Sequence, residues 1–399
     1  MNNKAVLRLS LLEAFFTSLV VGLAETYFPA FALMKGASAI EAGVLTSLPL
    51  VLAALFHWYL LKKVKNLAVS KWVPYAALIQ LFALVVLTLC SAVALSQVFF
   101  VLLIVYSIYW LGHYAHQPAW NRWIFDLVSL DKSQSYFSLR TRIVQIGIVL
   151  GLILGGYTLN LNIFDLDLKN LFIGLFAISS VLKYISYDLF KKHTPVITEI
   201  NFDFRHAKNL FFKYLSFFKS YSLFNFSVYL SAPYVVSYLL VARQLSYEQF
   251  MWVMAGLFLG KIVTTVAIPR MKQNFSPFKL LLLGGIIAAP LPAFWPFCHE
   301  VWMLFLLHLL SGIAWGAWEV GLALCFFKNL NIKEKIEMIS IYNLVAILTQ
   351  IGGTLVAAFV LKFVIHENYS WLFITSGIVR LLCVFALRSK TFGDTTTLS

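Results

Sequence analysis

Residues 72–92 read WVPYAALIQLFALVVLTLCSA, an unbroken run without a formally charged side chain that begins directly after Lys71. At 1.5 Å per residue a helix of that length covers about 30 Å, the thickness of a bilayer's hydrocarbon core. Lipid offers the backbone no hydrogen-bond partners, so a single run of this kind crosses as a helix. Working outward, runs of the same character occupy 9–34, 38–61, 96–120, 138–160, 169–190, 213–241, 247–269, 278–297, 301–326, 338–363 and 369–388. With 72–92 they make twelve expected spans. Alternating strands of an outer-membrane barrel would read half polar, which these continuous runs exclude.

The composition of the whole chain agrees. Of 399 residues, 61% are hydrophobic and only 12% charged, against about 45–50% and 25% in soluble domains. Twelve spans of about 20 residues consume about 240 residues, which leaves short connections and no room for a soluble catalytic domain. The chain is therefore not expected to be an enzyme. Cys90, Cys298, Cys325 and Cys383 lie in or beside apolar runs without a C-x-x-C pair, so neither a disulfide framework nor a metal cluster is expected. No cleavable signal peptide is expected, because no small-residue cleavage site interrupts the first run.

The 31 lysines and arginines divide unevenly over this frame. The tails and even-numbered connections hold 23 and the opposite loops four, namely Lys35, Lys169, Arg243 and Lys362; Lys183, Lys219, Lys261 and Arg380 fall inside spans. The positive-inside rule then puts both termini in the cytoplasm of a multi-pass protein of a bacterial cytoplasmic (inner) membrane. It also accounts for the net charge of +14: the cations are spread over loops that face anionic lipid headgroups. Membrane lipid is the expected partner of that charge, and nucleic acid is not.

The longest connection, 191–212, is polar and divides the chain six plus six. The halves repeat each other. Ala119-Trp120 recurs as Ala317-Trp318 at an offset of 198, Gly155-Gly156 as Gly352-Gly353 at 197, and Val181-Leu182-Lys183 as Ile378-Val379-Arg380 again at 197; Pro29 has a weaker counterpart in Pro233. The expected fold class is an all-α polytopic membrane protein whose twelve transmembrane helices form two six-helix bundles related by pseudo-two-fold symmetry. The expected organisation is an N-terminal bundle over 1–190, a cytoplasmic linker over 191–212, a C-terminal bundle over 213–390 and a cytoplasmic tail over 391–399. Duplicated bundles that rock about a shared axis are the machinery of a secondary transporter. The absence of a G-x-x-x-x-G-K-[ST] loop argues against ATP as the energy source, and no repeated pore filter suggests a channel.

This arrangement resembles the major facilitator superfamily over essentially the whole chain. The most specific stretch is Pro118-Ala119-Trp120-Asn121-Arg122-Trp123-Ile124-Phe125-Asp126-Leu127-Val128 followed by Tyr136-Phe137-Ser138-Leu139-Arg140-Thr141-Arg142, which is similar to a fourth-to-fifth-helix junction of bacterial members. The resemblance implies an alternating-access carrier whose first, fourth, seventh and tenth helices line the cavity. Two features depart from the family pattern. The second-to-third loop, Lys62-Lys63-Val64-Lys65-Asn66, keeps only positive charge where the family has Gly-x-x-x-Asp-Arg-x-Gly-Arg-Arg. Gly147, Gly151, Gly155 and Gly156 lack the proline of the antiporter pattern and read as a close-packing seam.

Ionisable groups inside spans cost about 2.5–3.5 kcal/mol each on insertion scales, so they mark function or reach the interface. Glu25 lies near the middle of the first span on a stripe with Ser18, Gly22 and Pro29, and is the expected proton-coupling group, with His113 and His308 as helpers. In the tenth span His308, Gly312, Trp315 and Glu319 form a second stripe. The repeat offset carries it onto Trp110, Tyr114, Gln117 and Asn121 of the fourth. Trp110, Gln117, Trp315 and Glu319 are the expected substrate-binding residues. Lys261 and Glu319 are the expected gating ion pair, or else a static one.

The other polar residues have plainer readings. Glu13 is expected at the interface, Trp120 and Trp123 in the aromatic belt, and Lys183, Arg380 and Lys219 to snorkel to the cytoplasmic surface. The pair His113 and His116 lacks the further ligands a zinc site needs, and His57 reads as a hydrogen-bonding histidine; no metal and no cofactor is expected. The chain thus reads as a monomeric, proton-coupled carrier of a small organic solute. Two alternatives stay open: an exporter or facilitator of amphipathic drugs or lipids without coupling through Glu25, and a membrane-embedded enzyme or receptor.

Overall fold

The computed structural model of the chain describes residues 3–63, 69–128, 130–160, 167–192, 204–268, 276–330 and 332–385. Among these residues eleven helices are long and apolar enough to cross a membrane: Ala5–Met34, Ala39–Phe56, Lys71–Ala92, Val98–His116, Leu139–Asn160, Leu168–Lys191, Leu215–Ala242, Tyr247–Ala267, Pro277–Phe297, Val301–Phe326 and Glu337–Phe363. A twelfth apolar helix, Tyr369–Val384, is shorter. They are called the first to twelfth spans below. The expected tail over 391–399, residues 64–66 of the second-to-third loop and 193–203 of the linker lie outside the described residues.

Side chains such as Leu89, Phe297 and Leu382 are 63%, 65% and 70% exposed. A soluble monomer rarely shows so many apolar residues on its outside; on a bundle of spanning helices they form the lipid-facing surface. The chain is a multi-pass membrane protein.

The chain divides into two compact units, Met1–Asn201 with Leu239–Trp252, and Phe202–Tyr238 with Val253–Ser399. Spans one to six are called the first bundle and spans seven to twelve the second; Leu239–Trp252, from the end of the seventh span to the start of the eighth, clusters with the former. In the first, the first span packs on the fifth and sixth, the third on the fourth and sixth, and the second on the fourth. In the second, the seventh packs on the eleventh and twelfth, and the ninth on the tenth and twelfth. The pairing order is that of the internal repeat. The linker residues Phe204–Lys213 form an amphipathic helix against the seventh and eleventh spans, where His206 Nδ1 meets the Glu337 carboxylate.

The spans that open each bundle are both interrupted. The first passes through a 3₁₀ turn, Glu25–Tyr27, before Phe28–Met34 continues it; the seventh does so over Ala232–Tyr234. Proline is the cause in the sequence. Pro29 and Pro233 have no N–H to give to the carbonyls of Glu25 and Tyr229, so the α ladder is lost one turn earlier. The Phe28 N–H closes on Glu25 O instead. A tyrosine pins each break: Tyr27 OH donates to Leu152 O at 2.8 Å and Tyr234 OH to Thr354 O at 2.7 Å.

Glycine permits the close approach beside the first pin. A Cβ on Gly22 would lie 2.1 Å from the Ile148 carbonyl oxygen, and one on Gly151 would lie 2.4 Å from Leu19 O. The first and fifth spans therefore touch backbone to backbone. The eighth and tenth do the same at Gly260 and Gly312.

Candidate functional site

Each bundle holds its own polar centre. In the first, Glu25 stands at the helix break, partly buried, and its Oε2 accepts a hydrogen bond from Tyr109 OH of the fourth span at 3.0 Å. Lys183 of the sixth span lies within electrostatic reach of Glu25 and of Glu13. Its Nζ donates to Thr17 Oγ1 at 3.4 Å. Glu13 Oε1 accepts from Thr17 Oγ1 at 2.6 Å and from Ser186 Oγ at 3.2 Å, while Glu13 Oε2 faces Arg140 Nη2 at 3.8 Å. Arg140 lies 3.9 Å over the ring of Trp120, and Tyr136 OH donates to Ser10 Oγ.

This centre corrects several expectations. Glu13 is 1% and Lys183 3% exposed, so neither reaches an interface. Two hydrogen bonds to a charged oxygen, each about 1.5–3 kcal/mol, offset an insertion cost of about 2.5–3.5 kcal/mol, and snorkelling is not required. Trp120 is 6% exposed and packs under Arg140 rather than in an aromatic belt; the side chain of Trp123 lies outside the described ones. Lys219 is exposed.

The stripe through Ser18, Gly22, Glu25 and Pro29 does not hold either. Ser18 Oγ donates to Phe15 O and, like Gly22, packs on the fifth span, while Pro29 is buried. Only Glu25 turns to the fourth span, because the 3₁₀ turn changes the angle per residue. Trp110 and His113 make an edge-to-face contact at 5.3 Å beside Tyr109, and His113 also lies in the field of Lys183. His116 packs its ring on Phe190 at 5.0 Å. The side chains of Gln117, Asn121 and His57 lie outside the described ones.

The second bundle holds an open cavity of about 430 Å³. His308, Ser311, Trp315, Trp318 and Glu319 of the tenth span line it, with Lys261 of the eighth, Trp295 of the ninth, and Asn225 and Tyr229 of the seventh. Lys261 Nζ is 2.7 Å from Glu319 Oε1. His308 Nδ1 lies 2.9 Å from Val253 O, an acceptor, so that nitrogen carries the proton. Asn225 Nδ2 donates to Ala346 O and Thr349 Oγ1. Of the tenth-span stripe, His308, Trp315 and Glu319 face the cavity, and Gly312 instead packs against Leu257 of the eighth span.

Arg380 closes the cavity wall from the twelfth span. It is 5% exposed, contrary to the expectation that it snorkels. Its Nε donates to Ser376 Oγ at 3.2 Å, and its Nη2 to Val228 O at 2.9 Å and Ser231 Oγ at 2.8 Å. Periodicity along the tenth span did not point to Tyr221, Tyr229 or Tyr342, which come from the seventh and eleventh. The available signal was the aromatic density of Phe217–Tyr229.

Two compact units, each with a span interrupted at a proline, invite comparison with solved structures. Among solved structures, the human organic anion transporter MFSD10 (TETRAN) superposes with a TM-score of 0.64 at 16% identity, covering 97% of this chain and 100% of that one. A bacterial homologue of the iron transporter ferroportin, in its outward-facing state, gives 0.68 at 17% identity, covering 96% and 98%. Similarity at that level establishes the shared fold. No protein-family profile matches the sequence, and no curated protein is significantly similar to it.

Proposed function

We propose that this chain is a secondary carrier of a bacterial cytoplasmic membrane, with both termini cytoplasmic, that moves a small organic solute by alternating access coupled to protons at Glu25. The observation that carries the reading is the setting of Glu25: a partly buried carboxylate at a break in a spanning helix, held by the Tyr109 hydroxyl and sharing one cation, Lys183, with Glu13. Charge inside a span is functional by default. When Glu25 takes a proton, Lys183 retains Glu13 as its counter-ion, so neither protonation state leaves the lysine without one. His113, in the same field, assists. His308 can use its unprotonated Nε2 in the same way in the second bundle.

Solute recognition falls to Trp315 and Glu319 in the second bundle, joined by Trp110 and Gln117 of the fourth span. The Lys261–Glu319 pair is a latch that opens as the carrier moves. The protein works as a monomer without cofactor, metal or catalytic centre.

The test is a thermal-stability screen of the purified protein against metabolites and drugs at pH 5.5 and pH 8. A ligand of the folded state raises apparent stability by mass action. Hits from one chemical class, with a pH dependence that Glu25→Gln removes, support the reading. Hits spread over unrelated amphipaths at both pH values favour an uncoupled exporter instead.

A further inference from the structure

We propose that the cavity of the second bundle binds an organic carboxylate with an aromatic body, with Arg380 as the partner of its charge. The inference rests on the carrier reading above for its purpose, and on the chemistry of the cavity for its content.

A guanidinium has five N–H donors. Arg380 spends three on neutral acceptors, Ser376 Oγ, Val228 O and Ser231 Oγ. The two on Nη1 have no acceptor among the described residues, and no carboxylate pairs with Arg380 among them. A buried cation held only by neutral groups is costly, and an anion is what offsets that cost.

The internal repeat shows that the arrangement is particular to this bundle. Lys183 is the counterpart of Arg380 at the offset of 197, and it has Glu13 and Glu25 within reach. Aligned on Pro29 and Pro233, Glu25 falls on Tyr229 and Glu13 on Phe217; aligned on Tyr27 and Tyr234, they fall on Ala232 and Ser220, so neither alignment supplies a carboxylate. The second bundle thus keeps the cation and lacks both carboxylates. The carboxylate that does line the cavity, Glu319, is occupied by Lys261 at 2.7 Å. One formal positive charge is left over in the wall.

The rest of the wall describes the body of the ligand. Tyr221, Phe224, Trp295, Trp315, Trp318 and Tyr342 surround a volume of about 430 Å³, within the range that encloses a small organic molecule. Aromatic faces of this kind pack on flat or apolar rings. Arginine presents a fork that matches a carboxylate with two parallel hydrogen bonds.

The test uses the full-length protein in detergent and four aromatic acids, benzoate, phenylacetate, indole-3-acetate and 2-naphthoate. Each is paired with its amide and with the matching amine, and binding is read by equilibrium dialysis. At least one acid is expected to bind about tenfold to a hundredfold tighter than its amide, the worth of a charged hydrogen bond, and the amines to bind weakest. Arg380→Gln is expected to bring acid and amide within about threefold of each other while amide binding persists. Arg380→Lys, which keeps the charge without the fork, is expected to fall between, and serves if the glutamine variant does not fold. Wild-type protein that prefers no acid over its amide overturns the proposal, as does a glutamine variant that keeps the preference. Acid-selective binding without solute movement in proteoliposomes removes the carrier reading and leaves this one. Accumulation of a cationic solute through the same cavity does the reverse.

Discussion

Replacing Gly22 by alanine adds one methyl group at a backbone-to-backbone contact between the first and fifth spans. Its carbon would sit 2.1 Å from Ile148 O, 2.7 Å from Leu152 N and 2.9 Å from Ile148 C, all backbone atoms that no rotamer change can move. A comfortable carbon-to-carbonyl-oxygen approach is about 3.3 Å, so the fifth span must retreat by roughly 1 Å. A gap of that size forfeits about a quarter to a half of each contact's 0.1–0.2 kcal/mol. Over some 20 atom pairs that is about 1 kcal/mol, and the Tyr27 to Leu152 hydrogen bond lengthens with it. Overpacking of this kind costs about 1–3 kcal/mol in total; about 2 kcal/mol is expected here. Gly174 is the control, since a Cβ there meets nothing within 4 Å. Unfolding titrations in mixed detergent–SDS micelles, followed by circular dichroism, read both variants. Gly22→Ala is expected to unfold at clearly lower SDS than wild type, and Gly174→Ala at the same concentration or higher. Equal midpoints for the two variants would refute the backbone contact.

Three further outcomes follow from the same geometry. Lys183→Met strips Glu13 and Glu25 of their shared cation and is expected to cost about 3–5 kcal/mol in that titration, with Glu13→Gln recovering part of the loss in the double variant; an additive double variant speaks against the network. Tyr27→Phe and Tyr234→Phe each delete one buried hydrogen bond to the facing span and are expected to cost about 0.5–1.5 kcal/mol apiece. Two silent substitutions would show that the pins do not hold the breaks. For Lys261 and Glu319, a double-mutant cycle is expected to give a stability coupling of at most about 1 kcal/mol, because Glu319 is 53% exposed, and a larger coupling in transport rate. Coupling confined to stability marks the pair as static.

Hydropathy located the helices well, and for a plain physical reason: apolar surface gains from leaving water in proportion to its area, whichever way around the helix it points. The expected runs 169–190 and 247–269 differ from Leu168–Lys191 and Tyr247–Ala267 by at most two residues at each end. The repeat was legible too, since Lys183 and Arg380 are matched in sequence and both buried. Which way a side chain points was harder to read. Phase along a helix survives only while the helix is regular, and the 3₁₀ turn at Glu25–Tyr27 separates Glu25 from Ser18 and Gly22, which pack on the fifth span. Position near a helix end suggested an interface for Glu13, Lys183, Arg380 and Trp120. Their burial depends on partners from other spans, such as Ser186 for Glu13 and Ser231 for Arg380, that no single-helix pattern contains.

The most direct test of proton coupling at Glu25 is accumulation of a screened solute in proteoliposomes under an imposed pH gradient, with downhill exchange measured on the same vesicles. Wild type is expected to accumulate the solute, and Glu25→Gln to exchange it at a comparable rate while accumulating none. Accumulation by Glu25→Gln equal to that of wild type would contradict the account.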